Sequence, residues 1–561
     1  MSGPAWTPWL AVLAPLAVLA LVLVRPSLGM LRIGVPAAPL GLLLVGLARP
    51  ASDTGIEWLG LGVTLGMDDA TMLLIAPAAV AWIAAGLLLR WEGLNHPLEV
   101  ASGMMLALSG MAWALLARDV ATFYAGFAIM TVSTALVVVA PDTPAARRAG
   151  RIYIAVTILG EVLLLAGLWL VLGGIGPQAA VADVQAQVAG NSAAALLIAA
   201  GLGTKVGALL LHVWMPIVYA GAHLAAAVAL SAAMINVGVI GLVRLLPVGV
   251  EAMPWVGTAI AAWGALGVVA GVALGLTQLA PRAALAYSSV SQMGLMLAVL
   301  GVVLAHGPLP GAPAAGVVLA GFAAHHAAAK GLLIATAGIP IERRSRWTLP
   351  VAIVAALVLA GVPLTTGAQS KDQLAALLQG ASDLPVGLLL GVGSLLTSAL
   401  MAHVTWLLHA GRRISDEERP GEHNHAAAWV LLVGGMLLVA VLLAAALPGP
   451  GKLAEVLLPI LAGVLLGSGI STRLQRRSRA AVPRGDLATY APWATRVARR
   501  VRAGGMRLTS MREVRSRIRG AGIPGQLARG EERLATWSVA MFVMLALVVV
   551  VGGITWLGAA P

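Results

Sequence analysis

Apolar windows of about 20 residues, the length a helix needs to cross a bilayer, recur along the chain from Pro8 to Ala560. They predict an all-α polytopic transmembrane bundle of about 15 spans, two or three of them broken. Two early spans, roughly Trp9–Val24 and Leu31–Leu47, precede a polar stretch at Ala51–Glu57, and LGMDDATMLLIAPAAVAWIAAGLLLR follows as the third, within residues 1–97. A central body occupies residues 98–411. Two further spans, about Ala426–Ala446 and Leu453–Ile470, fall within 412–472. An arginine-rich amphipathic segment takes up 473–535, and a final anchoring span, Trp537–Trp556, lies in 536–561.

Within the central body, HVWMP interrupts the apolar run around Lys205, and GVPLTTG interrupts the run around Lys371. Proline removes a backbone donor and opens the helical ladder. Broken helices in two corresponding halves are the pattern of inverted-repeat transporters, in which the freed backbone groups line a site at the membrane midplane.

Composition agrees with the pattern: 60% of residues are apolar, 11% are charged, and mean hydropathy is +0.93. The opening MSGPAWTPW carries no basic residue ahead of its apolar run, so that run is expected to be a retained span. The chain has no cysteine, which excludes disulfides, cysteine-ligated iron–sulfur clusters and thiol chemistry. Any redox centre it serves is expected in other subunits, and no cofactor is expected in this chain.

The net charge of +13 does not point to nucleic acid, because it is concentrated in one place. From Arg473 to Arg533 the chain has 16 arginines against Asp486, Glu513, Glu531 and Glu532, a net +12. The positive-inside rule puts that stretch on the cytoplasmic face of a bacterial-type inner membrane. YAPWATRVARRVRAGGMRL and MREVRSRIRGAGI mix arginine with apolar residues at near-helical spacing, which suits anionic lipid headgroups or a neighbouring subunit.

The candidate chemistry lies in four lysines, three of which are inside apolar runs: Lys205, Lys330 and Lys371. Only Lys452 flanks a span, and the other 32 basic residues are arginines. Guanidinium holds its proton permanently, whereas a desolvated ammonium can give one up. Ionisable groups inside a span are costly and mark function. Lys205 is followed by His212, Trp214 and Pro216, and is read as either a proton carrier or a structural cation. His326 precedes Lys330 by four residues, on the same helix face, with His325 adjacent. The pair is read as a proton relay, because a metal site would need further ligands nearby in sequence and none is present. Lys371 with Asp372 is either a carrier with its counter-charge or a helix-capping pair. Glu161 is a carboxylate near the centre of an apolar span and needs a cationic partner to stay charged. His223 and His403 have no sequence partner and are expected to be hydrogen-bonded structural residues.

At these positions the chain resembles the antiporter-like subunits shared by respiratory complex I, energy-converting membrane-bound hydrogenases and Mrp-type cation/proton antiporters. LAYSSVSQMGLM (Leu285–Met296) is similar to the family string LAYSS-x-S-x-x-G-x-M, and HAAAKGLLI (His326–Ile334) to H-x-x-x-K-x-L-L. AGVPLTTGAQSKDQL (Ala360–Leu374) resembles G-x-P-x-x-G-F-x-SKD-x-x, and Lys205 with HVWMP resembles a lysine followed by H-x-W-L-P. The likeness runs from roughly Leu61 to Gly411. It implies a half-channel lysine at Lys205, a central relay at His326 and Lys330, and a second-half lysine at Lys371 with Asp372. The C-terminal basic stretch and last span resemble the lateral helix and anchor of some distal members.

Three departures fall in the first half. The family glutamate of FY-x-x-W-E is Ala128, the lysine of its M-I-K string is Asn236, and the prolines of its P-S-P string are His223 and Ala225. Glu161 is expected to substitute as the partner of Lys205. The resemblance implies proton translocation in a complex I-like or hydrogenase-like assembly, with other membrane subunits and a peripheral redox module as partners. Three alternatives stay open: a proton-coupled inorganic-carbon uptake complex with a zinc-bearing partner, an Mrp-type antiporter subunit without a redox partner, and a non-conducting structural homologue.

Overall fold

The apolar runs fold into helices, several of which start on a capping side chain. The computed structural model describes residues 4, 6–50, 52–56, 62–89, 94–309, 314–339, 348–379, 381, 386–413 and 453–477. The expected span near Ala426–Ala446, the arginine segment beyond Arg477 and the last span lie outside the described residues. Among the described residues, eleven helical stretches are long and apolar enough to cross a membrane.

The chain opens with α1 (Thr7–Val24), α2 (Leu28–Ala37) and α3 (Leu40–Ala48). The last two form one span, interrupted where Pro39 leads into α3. The polar stretch that follows contains an element absent from the sequence expectation. Strands β1 (Thr54–Ile56) and β2 (Val63–Leu65) pair antiparallel with Gly55 opposite Thr64, so the described fold is a helical bundle with one small hairpin.

Next come α4 (Asp69–Leu88), α5 (Pro97–Leu116), α6 (Val120–Val139), α7 (Pro144–Leu172), α8 (Val181–Ala189) and α9 (Ser192–Val206). Asp68, Asp119, Thr143 and Asn191 each accept a backbone N–H in the first turn of their helix, satisfying donors that would otherwise be orphaned.

The first broken helix consists of α9 and α10 (Trp214–Gly221). After it, α11 (Leu224–Ala229) passes through a π-helical turn (Leu230–Met234) into α12 (Ile235–Leu245). Helices α13 (Pro254–Leu276), α14 (Pro281–His306) and α15 (Ala315–Gly338) follow. The second broken helix consists of α16 (Thr348–Ala360) and α17 (Thr366–Leu377); α18 (Val386–Arg413) and α19 (Leu453–Arg477) complete the described chain. Both breaks fall where the sequence predicts them.

The α11–α12 stretch, α14 and α15 are buried on nearly every side and form the centre of the bundle. Helix α4 packs on α15 and α11, so the third span belongs physically to this centre. By contrast, α1 and α7 are mostly uncovered by protein, as expected of helices on the lipid-facing rim. Helices α7 and α9 touch backbone to backbone: a Cβ on Gly201 would lie 2.6 Å from Leu164 N and 2.7 Å from Gly160 O. That approach needs glycine, and it brings the middle of α7 against the Lys205 helix.

One end of the bundle is tied by charge. The buried Arg244 in the last turn of α12 donates to Asp68 Oδ2 at 2.9 Å, to Thr71 Oγ1 at 2.6 Å and to Ala114 O at 3.3 Å. Arg118 bridges Asp68 and Asp53, each at 3.2 Å, joining the hairpin region to the N-terminus of α4. Burial raises the Asp68 pKa, but Arg244 and the Thr71 hydrogen bonds outweigh it and hold the carboxyl at about 2.

Candidate functional site

Lys205 is in the last turn of α9, which ends in the left-handed Gly207. Its ammonium is buried, donates to Tyr153 Oη at 3.1 Å and sits 5.4 Å from the ring centroids of both Phe127 and Tyr153. The first lysine is therefore held in an aromatic cage on α6 and α7. Trp214, at the start of α10, packs edge-on to Tyr153 and donates to Thr204 O at 2.8 Å, which fastens the two halves of the broken helix together.

Glu161, on α7, is within electrostatic reach of Lys205. The Thr131 hydroxyl reaches its carboxyl, and the Glu161 charge acts on Tyr124. Tyr124, Ala128 and Thr131 lie along one face of α6, so Ala128 faces the carboxylate. The carboxylate that acts on Lys205 is therefore on α7, opposite the α6 face that carries Ala128. Asn236, two residues beyond the π turn, is buried on α12 beside Gly238, which packs on Lys205.

Lys330 lies at the centre of α15, fully buried, and donates to Leu285 O on α14 at 2.9 Å. His326 is one turn earlier, and neither of its ring nitrogens has a protein partner. His325 points elsewhere: its Nδ1 lies 3.1 Å from Thr366 Oγ1 at the start of α17. The two adjacent histidines therefore serve different neighbours.

Lys371 sits inside α17, not at its cap. Thr365 caps that helix, so the capping reading of the Lys371–Asp372 pair does not hold. Lys371 Nζ donates to Ala360 O at 2.6 Å, a carbonyl released by the helix break, and to Ser394 Oγ on α18 at 2.9 Å. Asp372 follows it, half-buried. Between Lys330 and α18, Gln292 donates to Thr397 Oγ1 at 2.5 Å.

The remaining histidines divide clearly. His212 lies in the first break, stacked edge-on to Tyr287, with Nδ1 buried and without a protein partner. His223 accepts from Ala225 N at 3.2 Å and caps α11. His403 is bonded at both nitrogens, to Ser471 Oγ and Gln278 O, each at 2.8 Å, and joins α18 to α19 and to the end of α13. His223 and His403 are both hydrogen-bonded, His403 at each ring nitrogen.

Several other buried polar atoms lack a protein partner: Ser288 Oγ, Ser289 Oγ, Gln292 Oε1 and Glu161 Oε1. Ser288, Ser289 and Gln292 are on α14, and His326 and His212 belong to the same set. Each costs about 1–3 kcal/mol if left without a partner. Among the described residues, no group of three or more acidic or histidine side chains could hold a metal ion.

Tyr153, Ser394, Thr366 and Arg244 escaped the sequence reading. Small hydroxyl residues at helical spacing in an otherwise apolar span, as in GVGSLLTSAL, were the available signal for Ser394.

The pattern of the NADH:quinone oxidoreductase/Mrp antiporter transmembrane family matches residues 117–399. A Mycobacterium tuberculosis protein described only as uncharacterized is 29% identical over 378 residues, covering 61% of this chain and 57% of its own length. Hydrogenase-4 component B of Escherichia coli K12 is 26% identical over 289 residues, 47% of this chain and 43% of the relative. The chain therefore spans about half the length of these relatives. The Mrp complex structure from Dietzia sp. DQ12-45-1b superposes with a TM-score of 0.69 at 20% identity, covering 93% of this chain and 63% of that one. That match establishes the shared fold.

Proposed function

The chain belongs to the NADH:quinone oxidoreductase/Mrp antiporter transmembrane family, and on that premise we propose that it carries protons across the membrane as one subunit of a multisubunit assembly. The observation that supports this best is the set of three buried lysines, Lys205, Lys330 and Lys371, whose hydrogen bonds all go to neutral oxygens. An ammonium held by a phenol, a carbonyl or a serine can release its proton without leaving a carboxylate unpaired. Lys330 bonds to α14, which packs on α10 of the first broken helix, while its own helix α15 packs on α16 and α17 of the second.

The assembly contains other membrane subunits and a peripheral module that supplies the driving reaction, in a bacterial-type inner membrane. A redox module is favoured over a zinc-bearing one by the resemblance to a hydrogenase component. The arginine segment serves as a contact for anionic headgroups.

The test uses the purified assembly in liposomes, driven by a potassium diffusion potential and read by a lumenal pH dye. Lys330→Met should abolish proton flux while assembly persists, since an apolar chain suits the span better than the ammonium did. Lys330→Arg should lose nearly as much, because a permanent cation cannot pass its proton on. Normal flux in Lys330→Met refutes the reading.

A further inference from the structure

Two polar routes leave the Lys330 neighbourhood for Lys371, and they differ in chemistry. The first runs along α14 and α18 through Gln292, Thr397 and Ser394. Its hydrogens are committed: the Gln292 amide donates to Thr397, and the Thr397 hydroxyl donates to Gly393 O at 2.7 Å. A carboxamide does not titrate, so this route braces α14 against α18 and holds Ser394 in place for Lys371.

The second route runs through His325. It is buried next to His326, and its ring turns away from α14 toward the second broken helix. Two glycines make room there. A Cβ on Gly367 would sit 3.0 Å from His325 Cε1 and 3.0 Å from Gly361 Cα, while a Cβ on Gly361 would sit 2.8 Å from Lys371 Nζ. The imidazole and the ammonium therefore lie on either side of the Gly361–Gly367 contact, and the Lys371 charge acts on the ring. Gly361 also adopts a φ of 87°, which side chains disfavour. The break thus holds one titratable ring from α15 and one amine from α17 at short range, with Thr366 fixing the ring.

We propose that His325 is the proton-carrying residue between the Lys330–His326 site and Lys371, an inference that rests on the translocation reading above. A neutral imidazole takes a proton on one ring nitrogen and releases one from the other. Lys330 passes from ammonium to amine, Lys371 from amine to ammonium, and the net charge is unchanged. Rotation of the ring restores the starting tautomer. On the Lys330 side the donor is the neighbouring His326, whose ring nitrogens have no partner among the described residues.

The experiment compares His325→Asn, Thr366→Val and Gln292→Met with Lys330→Met in the same liposome assay on the full assembly. Asparagine can keep a hydrogen bond to Thr366 from a position close to Nδ1, but it cannot titrate. His325→Asn should lower flux by at least about tenfold, and Thr366→Val by about threefold, the lesser loss because the ring remains but is no longer held. Gln292→Met should lower flux clearly less than His325→Asn does, since the amide braces without carrying. Flux within about twofold of wild type in His325→Asn overturns the proposal, as does an unchanged Thr366→Val should the asparagine variant fail to assemble. A large loss in Gln292→Met with normal His325→Asn assigns the transfer to the other route. Normal flux in Lys330→Met would remove the translocation reading itself, so failure of the reading and failure of the carrier assignment give different results.

Discussion

The surroundings of Lys205 and Lys371 form a controlled contrast within one chain. Each lysine follows the same plan, a buried ammonium beside a broken helix, yet the materials around them differ. Lys205 is caged by Phe127 and Tyr153, with Trp214 behind Tyr153. Lys371 is held by Ala360 O and Ser394, with His325 and Thr366 across the break. The aromatic faces at Lys205 stabilise the cation without passing its proton, leaving the Tyr153 hydroxyl as its bonded exchange partner, whereas Lys371 has a serine hydroxyl, with an imidazole and a threonine across the break. The first half also lacks the carboxylate and lysine that the family strings place at Ala128 and Asn236. On the proposed function, the two halves should differ in conduction because their lysines have neighbours that differ in the ability to exchange protons.

The sharpest way to break that contrast is to remove each lysine in turn. Lys371→Met should abolish flux in the driven liposome assay. Lys205→Met should leave a measurable remainder, a loss of about tenfold or about 1.4 kcal/mol of barrier. Equal losses would mean that the aromatic cage conducts as well as the hydroxyl site.

The spans and both helix breaks were legible because apolar length and proline are local signals, read without knowing what packs where. The lysines were legible because a cation in an apolar run is anomalous wherever it packs. What stayed hidden depended on contacts between distant segments. Arg244 and Asp68 are 176 positions apart, and in sequence Arg244 reads as one more span-end arginine. Tyr153 gains its role only because Gly160 and Gly201 let α7 and α9 touch. The hairpin strands have three residues each, too few for an alternating pattern to show. The adjacent His325 and His326 read as one feature, and only the fold turns them to different partners.

A second test sharpens the contrast from the weaker half. If Glu161 stands in for the carboxylate missing at position 128, Glu161→Ala should reduce flux by about threefold to tenfold. Adding Ala128→Glu should restore most of it, since residue 128 lies between Tyr124 and Thr131, both of which interact with Glu161. Two independent losses in place of rescue would show that the two positions are not equivalent.

The smallest expected effect lies at the end of the bundle, where Asp68 holds Arg244. Asp68→Asn leaves a buried guanidinium with only Thr71 and Ala114 O, and should cost up to about 3 kcal/mol, measured as thermal unfolding in detergent. The pH dependence gives the sharper sign. The folded carboxyl titrates at about 2, below its unfolded value of about 3.9, so the stabilisation is complete above pH ~4 and fades as pH falls toward 2. The wild-type unfolding temperature should drop across that window more steeply than that of Asp68→Asn, and the two should converge at the acid end. Arg244 is on α12, the helix that also carries Asn236 and packs on Lys205 through Gly238, and both α12 and α4 pack on α15, so the tie fixes elements that the central helix rests on. An Asp68→Asn protein whose unfolding keeps the full wild-type pH dependence would show that other carboxyls control the acid limb and that this tie contributes little.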